Sequence, residues 1–496
     1  MAISSAVDQS AVASIVGIET KFQDTGLSGR FLPQKVGIVG QGNSLATYPL
    51  TQKQVTSAFE AGSIYGFGSQ IHLAVNQLLP VNGDGIGSIP VIIYPLEDAG
   101  TGVAAAGDIT PSGAETEAHA YRVSINNILS DAFVVSPGDA VATITAAITL
   151  AINSNINMPM IASDGTTQVD LVAKWKGESG NDLNIEIIPE LPAGSTVFIV
   201  TQPTGGLVNP DIQDALDLIG EHEWITMLLN CMNKSDTISL GKYETFGEGR
   251  WQPLVKKPLI VFTGDVNDTV ANSTTIPEAR KTDRVNSQLV SPSSKDLPFI
   301  VAARQLARIV VVAENNPPTG YNGQIADGLI PADDSLEWKY NERDEAIKKG
   351  SSTITVENGQ VVCGDIITFY HPDGDPLPAY RKVVNIVKLQ NIIYNLDLIF
   401  SAPEWRDAPL IPDGQPTVNP NARTPGTARA EIAGLLDYLG GQAIISDPAD
   451  AKKKTLAEIS GTNPDRLDVS LTVKLSGNSN IKSITINFGY FFGGQQ

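Results

Sequence analysis

Apolar and polar positions alternate with period two over residues 12–22, where Val12, Val16, Ile18 and Phe22 share one parity with Ser14 and Thr20. That spacing predicts a strand with one apolar face. After the polar stretch QDTGLSGR, residues 35–40 (KVGIVG) read as a short apolar strand, residues 70–79 carry helical periodicity, and residues 90–95 (PVIIYP) form a buried strand bounded by prolines. Residues 99–114 are almost entirely small or turn-forming, which marks a crossing between domains. Beyond it lie an alternating strand (AYRVSINNI), a helix over residues 139–153, and strands over 168–174, 183–188 and 196–201. Residues 99–205 therefore read as an inserted, mostly β domain.

From Gly205-Gly206 the pattern returns to strand, helix, strand. Asn209 is placed to cap a helix with Pro210 at its first position, and Ile212, Ala215, Leu216 and Ile219 line one face. Residues 224–229 (WITMLL) and 258–262 (PLIVF) are continuous apolar strands, a helix covers residues 298–313, and residues 315–334 read as a long surface loop. This order predicts a largely parallel sheet with covering helices. Residues 402–426 hold six prolines and read as a linker or irregular belt. Thr427 is placed to cap a helix through Leu439, ended by Gly440-Gly441, and Asp447-Pro448 starts another. Leu467, Val469, Leu471, Val473 and Leu475 share one parity; after the turn SGNSN, Ile484, Ile486, Phe488 and Tyr490 share another. Together they predict a hairpin near the C-terminus.

The fold class is α/β and multidomain. An N-terminal arm (1–30) precedes a core sheet with covering helices, built from residues 31–98 and 206–400. The inserted β-rich domain (99–205) protrudes from it, and a C-terminal domain (401–496) carries a second strand arm. At 496 residues, 42% hydrophobic and 18% charged, the chain can bury two to four cores. Its net charge of −20 argues against direct binding of nucleic acid or an anionic membrane. Two distant cysteines, Cys231 and Cys363, are too few for a disulfide framework and point to a reducing compartment. The N-terminus lacks the basic start of a signal peptide, and no window approaches an uninterrupted membrane span.

The search for chemistry returns little. Gly83, Gly85 and Gly87 lack the third glycine and following helix of a dinucleotide turn, and no glycine-rich loop precedes a Walker lysine. His72, His119, His222 and His371 lie outside ligand spacing of one another and of the cysteines. The cluster His371-Pro-Asp373-Gly-Asp375 reads as a turn rather than a metal loop. No nucleophile sits in a GxSxG frame. Catalytic residues, cofactors and metals are accordingly none, and an α/β hydrolase-like enzyme is the weakest reading.

Several separated stretches carry a family resemblance. Residues 342–370, ERDEAIKKGSSTITVENGQVVCGDIITFY, resemble a segment of contractile tail sheath proteins: a short helix ending at Gly350, a strand at Ile354 and Val356, a turn at Asn358-Gly359, and strands at Val361-Val362 and residues 366–369. KVGIVGQG, AYRVSINN and the run Lys176-Gly177-x-x-Gly180-Asn181 are similar to stretches in sheaths of transposable-phage-like tails. The resemblance implies a virion structural protein, assembled in the host cytoplasm as stacked hexameric rings around a tail tube. It also implies baseplate and terminator partners at the ends, with no direct contact to nucleic acid. Neighbouring subunits would be linked through strand arms carrying Val12, Val16, Ile18 and Phe22 at one end and Leu471, Val473, Ile484, Ile486, Phe488 and Tyr490 at the other. A sheath from a contractile bacteriocin or secretion system is the alternative of the same fold.

Overall fold

A computed structural model describes residues 30–190, 194, 196–233, 235–333 and 335–490. The described chain divides into two compact units. The larger comprises Phe31–Tyr394 with residues 475–490, the smaller Arg30 with residues 395–474.

The larger unit is organised by a six-stranded sheet in the order Asn286–Val290, Ile260–Asp265, Met227–Asn230, Val36–Gln41, Val91–Leu96, Lys53–Val55. All neighbours run parallel except the last pair, which is antiparallel. The four inner strands are buried residue for residue, which is why they read as continuous apolar runs. Helices Gln70–Leu78 and Pro298–Asn315 pack on one another and on these strands. Gly264 makes this approach possible, since a Cβ there would sit 1.6 Å from the Pro298 carbonyl oxygen.

Between the third and fourth strands by sequence, the chain leaves to build two antiparallel four-stranded sheets. One pairs Val197–Thr204, Ala106–Ser112, Val169–Ala173 and Met160–Asp164; the other is centred on His119–Ile125. Helix Val141–Ser154 packs against strands of both. Tyr121, Phe133 and Phe198 interlock beside it, with Tyr121 and Phe198 5.0 Å apart edge to face.

In the smaller unit, helix Pro425–Gly441 buries Ala428, Ile432, Leu435, Leu436 and Leu439. Its cap is Thr424, whose hydroxyl accepts from the Thr427 amide at 3.0 Å, so the expected cap at Thr427 lies one turn too far along. Proline at the first helical position explains the shift, since its fixed φ suits that place. Helix Pro448–Lys454 does start from Asp447, which accepts from the Asp450 amide. Asn209 does not cap a helix. Its side chain accepts from the Glu178 amide and donates to Asp236, and only Gln213–Leu216 is helical, although Ile212, Ala215, Leu216 and Ile219 are buried. The loop after Asn315 is anchored rather than superficial, with Tyr321, Ala326 and Leu329 buried.

The C-terminal hairpin does not close. Leu467–Ser470 instead pairs antiparallel with Leu456–Ile459, and Lys474–Leu475 pairs with Ile445–Ser446. Strands that precede residue 467 have already taken the partner positions. Residues 481–490 run on without forming a strand.

Candidate subunit-linking site

Open parallel sheets bind small ligands outside the carboxyl ends of the strands, where the strand order reverses. Here that point lies between Val36–Gln41 and Met227–Asn230, and the protein fills it with its own side chains. The Gln41 amide donates to Gln70 Oε1 at 3.0 Å, and Gln70 Nε2 donates to Ser179 Oγ at 2.8 Å. Fully buried Trp175 donates its indole N–H to the same Ser179 oxygen at 3.0 Å, and Gln41 Nε2 donates to Asp98 and to the Lys176 carbonyl. The inserted segment thus occupies the crevice in which this sheet order would otherwise hold a ligand. Beside it, His72 Nδ1 accepts from the Gly68 amide, and burial, with Lys174 adding to it, pushes the imidazole down to about 4. Among the described residues, no group of three or more His, Cys, Asp or Glu side chains is placed to hold a metal ion.

The C-terminal segment is the opposite case. It leaves the sheet pair at Leu475 and is pinned over its first residues: Lys388 Nζ donates to the Ser476 carbonyl at 2.7 Å and to Asn478 Oδ1 at 3.0 Å. Asn478 Nδ2 donates to the Pro318 carbonyl and Asn480 Nδ2 to Asp365. Past this point the chain forms neither strand nor helix, and Ile484, Ile486, Phe488 and Tyr490 are 80–84% exposed. Thr485 and Asn487 on the other parity are exposed too. Leu471 and Val473 are half-buried and belong to the smaller unit rather than to this run. Val12, Val16, Ile18 and Phe22 lie outside the described residues.

No family model matches the chain. It is 25% identical over 452 residues to the Mu-like prophage FluMu tail sheath protein of Haemophilus influenzae, an alignment covering 88% of each chain. Along nearly its whole length the chain is thus similar to that tail sheath protein. Among solved structures, it aligns with a sheath tail protein from Listeria innocua at 13% identity and a TM-score of 0.49, covering 91% of this chain and 94% of that one. A sheath tail protein from Desulfitobacterium hafniense aligns at 12% identity and a TM-score of 0.46, with 92% and 100% covered.

The stretches singled out by resemblance have definite places in the fold. The run Lys176-Gly177-x-x-Gly180-Asn181 forms the joint of the inserted segment. Asn181 exchanges two hydrogen bonds with the Gly206 backbone, Gly177 has φ +111° with the Asn209 side chain in the space of a Cβ, and Gly180 lies against Ala105. Entry and exit of the segment are further paired through Val103 and Leu207. Residues 342–370 form helix Tyr340–Lys348, Gly350 at φ +81°, and a hairpin of Ile354–Glu357 with Gln360–Cys363. Asn358 and Gly359, both at positive φ, make its tight turn. What the sequence reading missed is the crevice filler Gln70–Ser179–Trp175 and the buried polar residues of helix Val383–Phe400. That helix is long and apolar enough to cross a membrane by composition, but its first turns, Val383, Val384, Ile386 and Val387, pack in the main core.

Proposed function

We propose that this chain is the sheath subunit of a contractile phage-type tail. It polymerises as stacked hexameric rings around a tail tube and shortens to drive the tube through the host envelope for genome delivery. The observation that carries this reading is the relation to a prophage tail sheath protein over 88% of both chains. The exposed alternation of Ile484, Ile486 and Phe488 supports it, because an exposed apolar segment with strand periodicity can add to a sheet edge of another chain.

In this reading, residues 12–22 and 481–490 add strands to sheets of neighbouring subunits, and Leu471 and Val473 belong to the receiving surface. Burying one Ile or Phe of an arm contributes roughly 1.5–3 kcal/mol, and the backbone gains a ladder of hydrogen bonds besides. The arms keep subunits linked while rings rotate from a metastable extended lattice into a lower-energy contracted one, so stored packing energy takes the place of catalysis. The inserted domain (99–205) faces outward, and residues 401–496 face the tube. Partners are other sheath subunits, the tube protein, and baseplate and terminator proteins at the ends. A net charge of −20 suits a sheath that the tube separates from DNA. The test is electron microscopy of the purified full chain. Tubes or stacked rings are expected, since heterologous contacts propagate; a concentration-independent monomer would overturn the proposal.

A further inference from the structure

Helix Val383–Phe400 carries three fully buried polar side chains within one turn: Lys388, Gln390 and Asn391. Gln390 is a core fastener, donating to the carbonyls of Thr226 and Pro258. Lys388 and Asn391 are three residues apart and so share a helix face. Within the larger unit, Asn391 holds Leu32 and Lys388 holds Ser476 and Asn478. Asn391 Oδ1 accepts from the Leu32 amide at 2.8 Å, just after the N-terminal residues, while its Nδ2 is fixed by the Val387 carbonyl. Lys388 Nζ donates to the Ser476 carbonyl and Asn478 Oδ1, just before the exposed C-terminal run. A buried ammonium is costly and persists where its hydrogen bonds are well made. Burial pushes this amine down to about 8, with Lys382 adding to the shift.

We infer that Lys388 and Asn391 form a common clamp that holds Leu32 and residues 476–478 on one helical turn and fixes the distance between them. The consequence is mechanical. The clamp couples Leu32 to residues 476–478 through one turn of helix, beside the contacts to Pro318 and Asp365. The clamp follows from the hydrogen bonds alone; its part in linking subunits rests on the sheath reading.

Hydrogen exchange by mass spectrometry on the full chain tests it, with sedimentation of assembled material alongside. Lys388→Met removes the charge at similar length, and Asn478→Ala removes one of its two bonds from the arm side together with the bond to the Pro318 carbonyl. Both should speed exchange in peptides spanning residues 475–480 by roughly tenfold, the scale of one lost charged hydrogen bond. Asn391→Leu should do the same at Leu32 while leaving residues 475–480 alone. All three should lower the fraction that sediments as polymer. Unchanged exchange in both Lys388→Met and Asn478→Ala overturns the clamp. Faster exchange with undiminished assembly overturns its positioning role. If the wild-type chain does not assemble, the sheath reading falls and the positioning role with it, while exchange still decides whether the clamp exists.

Discussion

The Val36–Gln41 strand and residues 481–490 are both rich in Ile, Val or aromatic side chains, yet every residue of the first is buried and every residue of the second is exposed. The first has a parallel neighbour on each side, in register from Val36 with Met227 and with Val91. The second follows a root held by Lys388, Pro318 and Asp365 and pairs with no strand. Apolar content alone therefore does not decide where a strand goes; the availability of a partner edge does. A segment that stays apolar and exposed is suited to a partner outside the chain.

The sharpest way to break this comparison is to weaken the buried member. Ile38→Ala should cost about 3–4 kcal/mol in denaturant unfolding, because the site is enclosed on all sides and cannot collapse. Phe488→Ala should leave the same transition within about 0.5 kcal/mol. Equal effects would abolish the distinction between the two strands.

Next in size is the acid sensitivity of the sheet's end. His72 is buried and neutral, with its pKa lowered from 6.5 to about 4 by burial and then by Lys174. The unfolded chain binds the proton more readily, so stability is complete above pH 6.5 and falls as pH drops through that value toward 4, by about 3 kcal/mol. His72→Gln should flatten this part of the pH profile of unfolding, and an unchanged slope would contradict the assignment. Ser179→Ala should cost about 2 kcal/mol, since it strands the Trp175 indole and leaves the Gln70 amide only its long bond to the Cys231 carbonyl. Smallest is the helix cap: Thr424→Ala should lower stability by about 1 kcal/mol, and Thr427→Ala by less. The reverse order would restore the cap at Thr427.

Most of the central sheet was legible because fully buried parallel strands give uninterrupted apolar runs, as at residues 35–40, 90–95 and 258–262. Strand order was not, since nothing local says that Met227–Asn230 pairs with Val36–Gln41 across the inserted segment. Helix Thr237–Arg250 was missed because Gly241, Gly247 and Gly249 break its pattern. The Gly247 position is needed bare, for a Cβ there would come within 2.3 Å of Val285. Helix Val383–Phe400 was hidden by its buried Lys388, Gln390 and Asn391, which spoil the amphipathic signature while holding other parts of the chain. Of the candidate site, the exposed alternation at Ile484, Ile486 and Phe488 was readable, but the hairpin inferred from it was not correct. Two adjacent alternating stretches look like partners, and only the pairing of Leu467–Ser470 with Leu456–Ile459 shows that they are not.

The central claim is that the exposed C-terminal run serves contacts between subunits and not the fold of its own. Phe488→Asp and Thr485→Asp, compared by melting of the dissociated chain and by electron microscopy of assembled material, test it most directly. The account predicts unchanged melting for both, with tubes lost in Phe488→Asp and kept in Thr485→Asp. Equal assembly of the two, or unfolding of the isolated chain by Phe488→Asp, would contradict it.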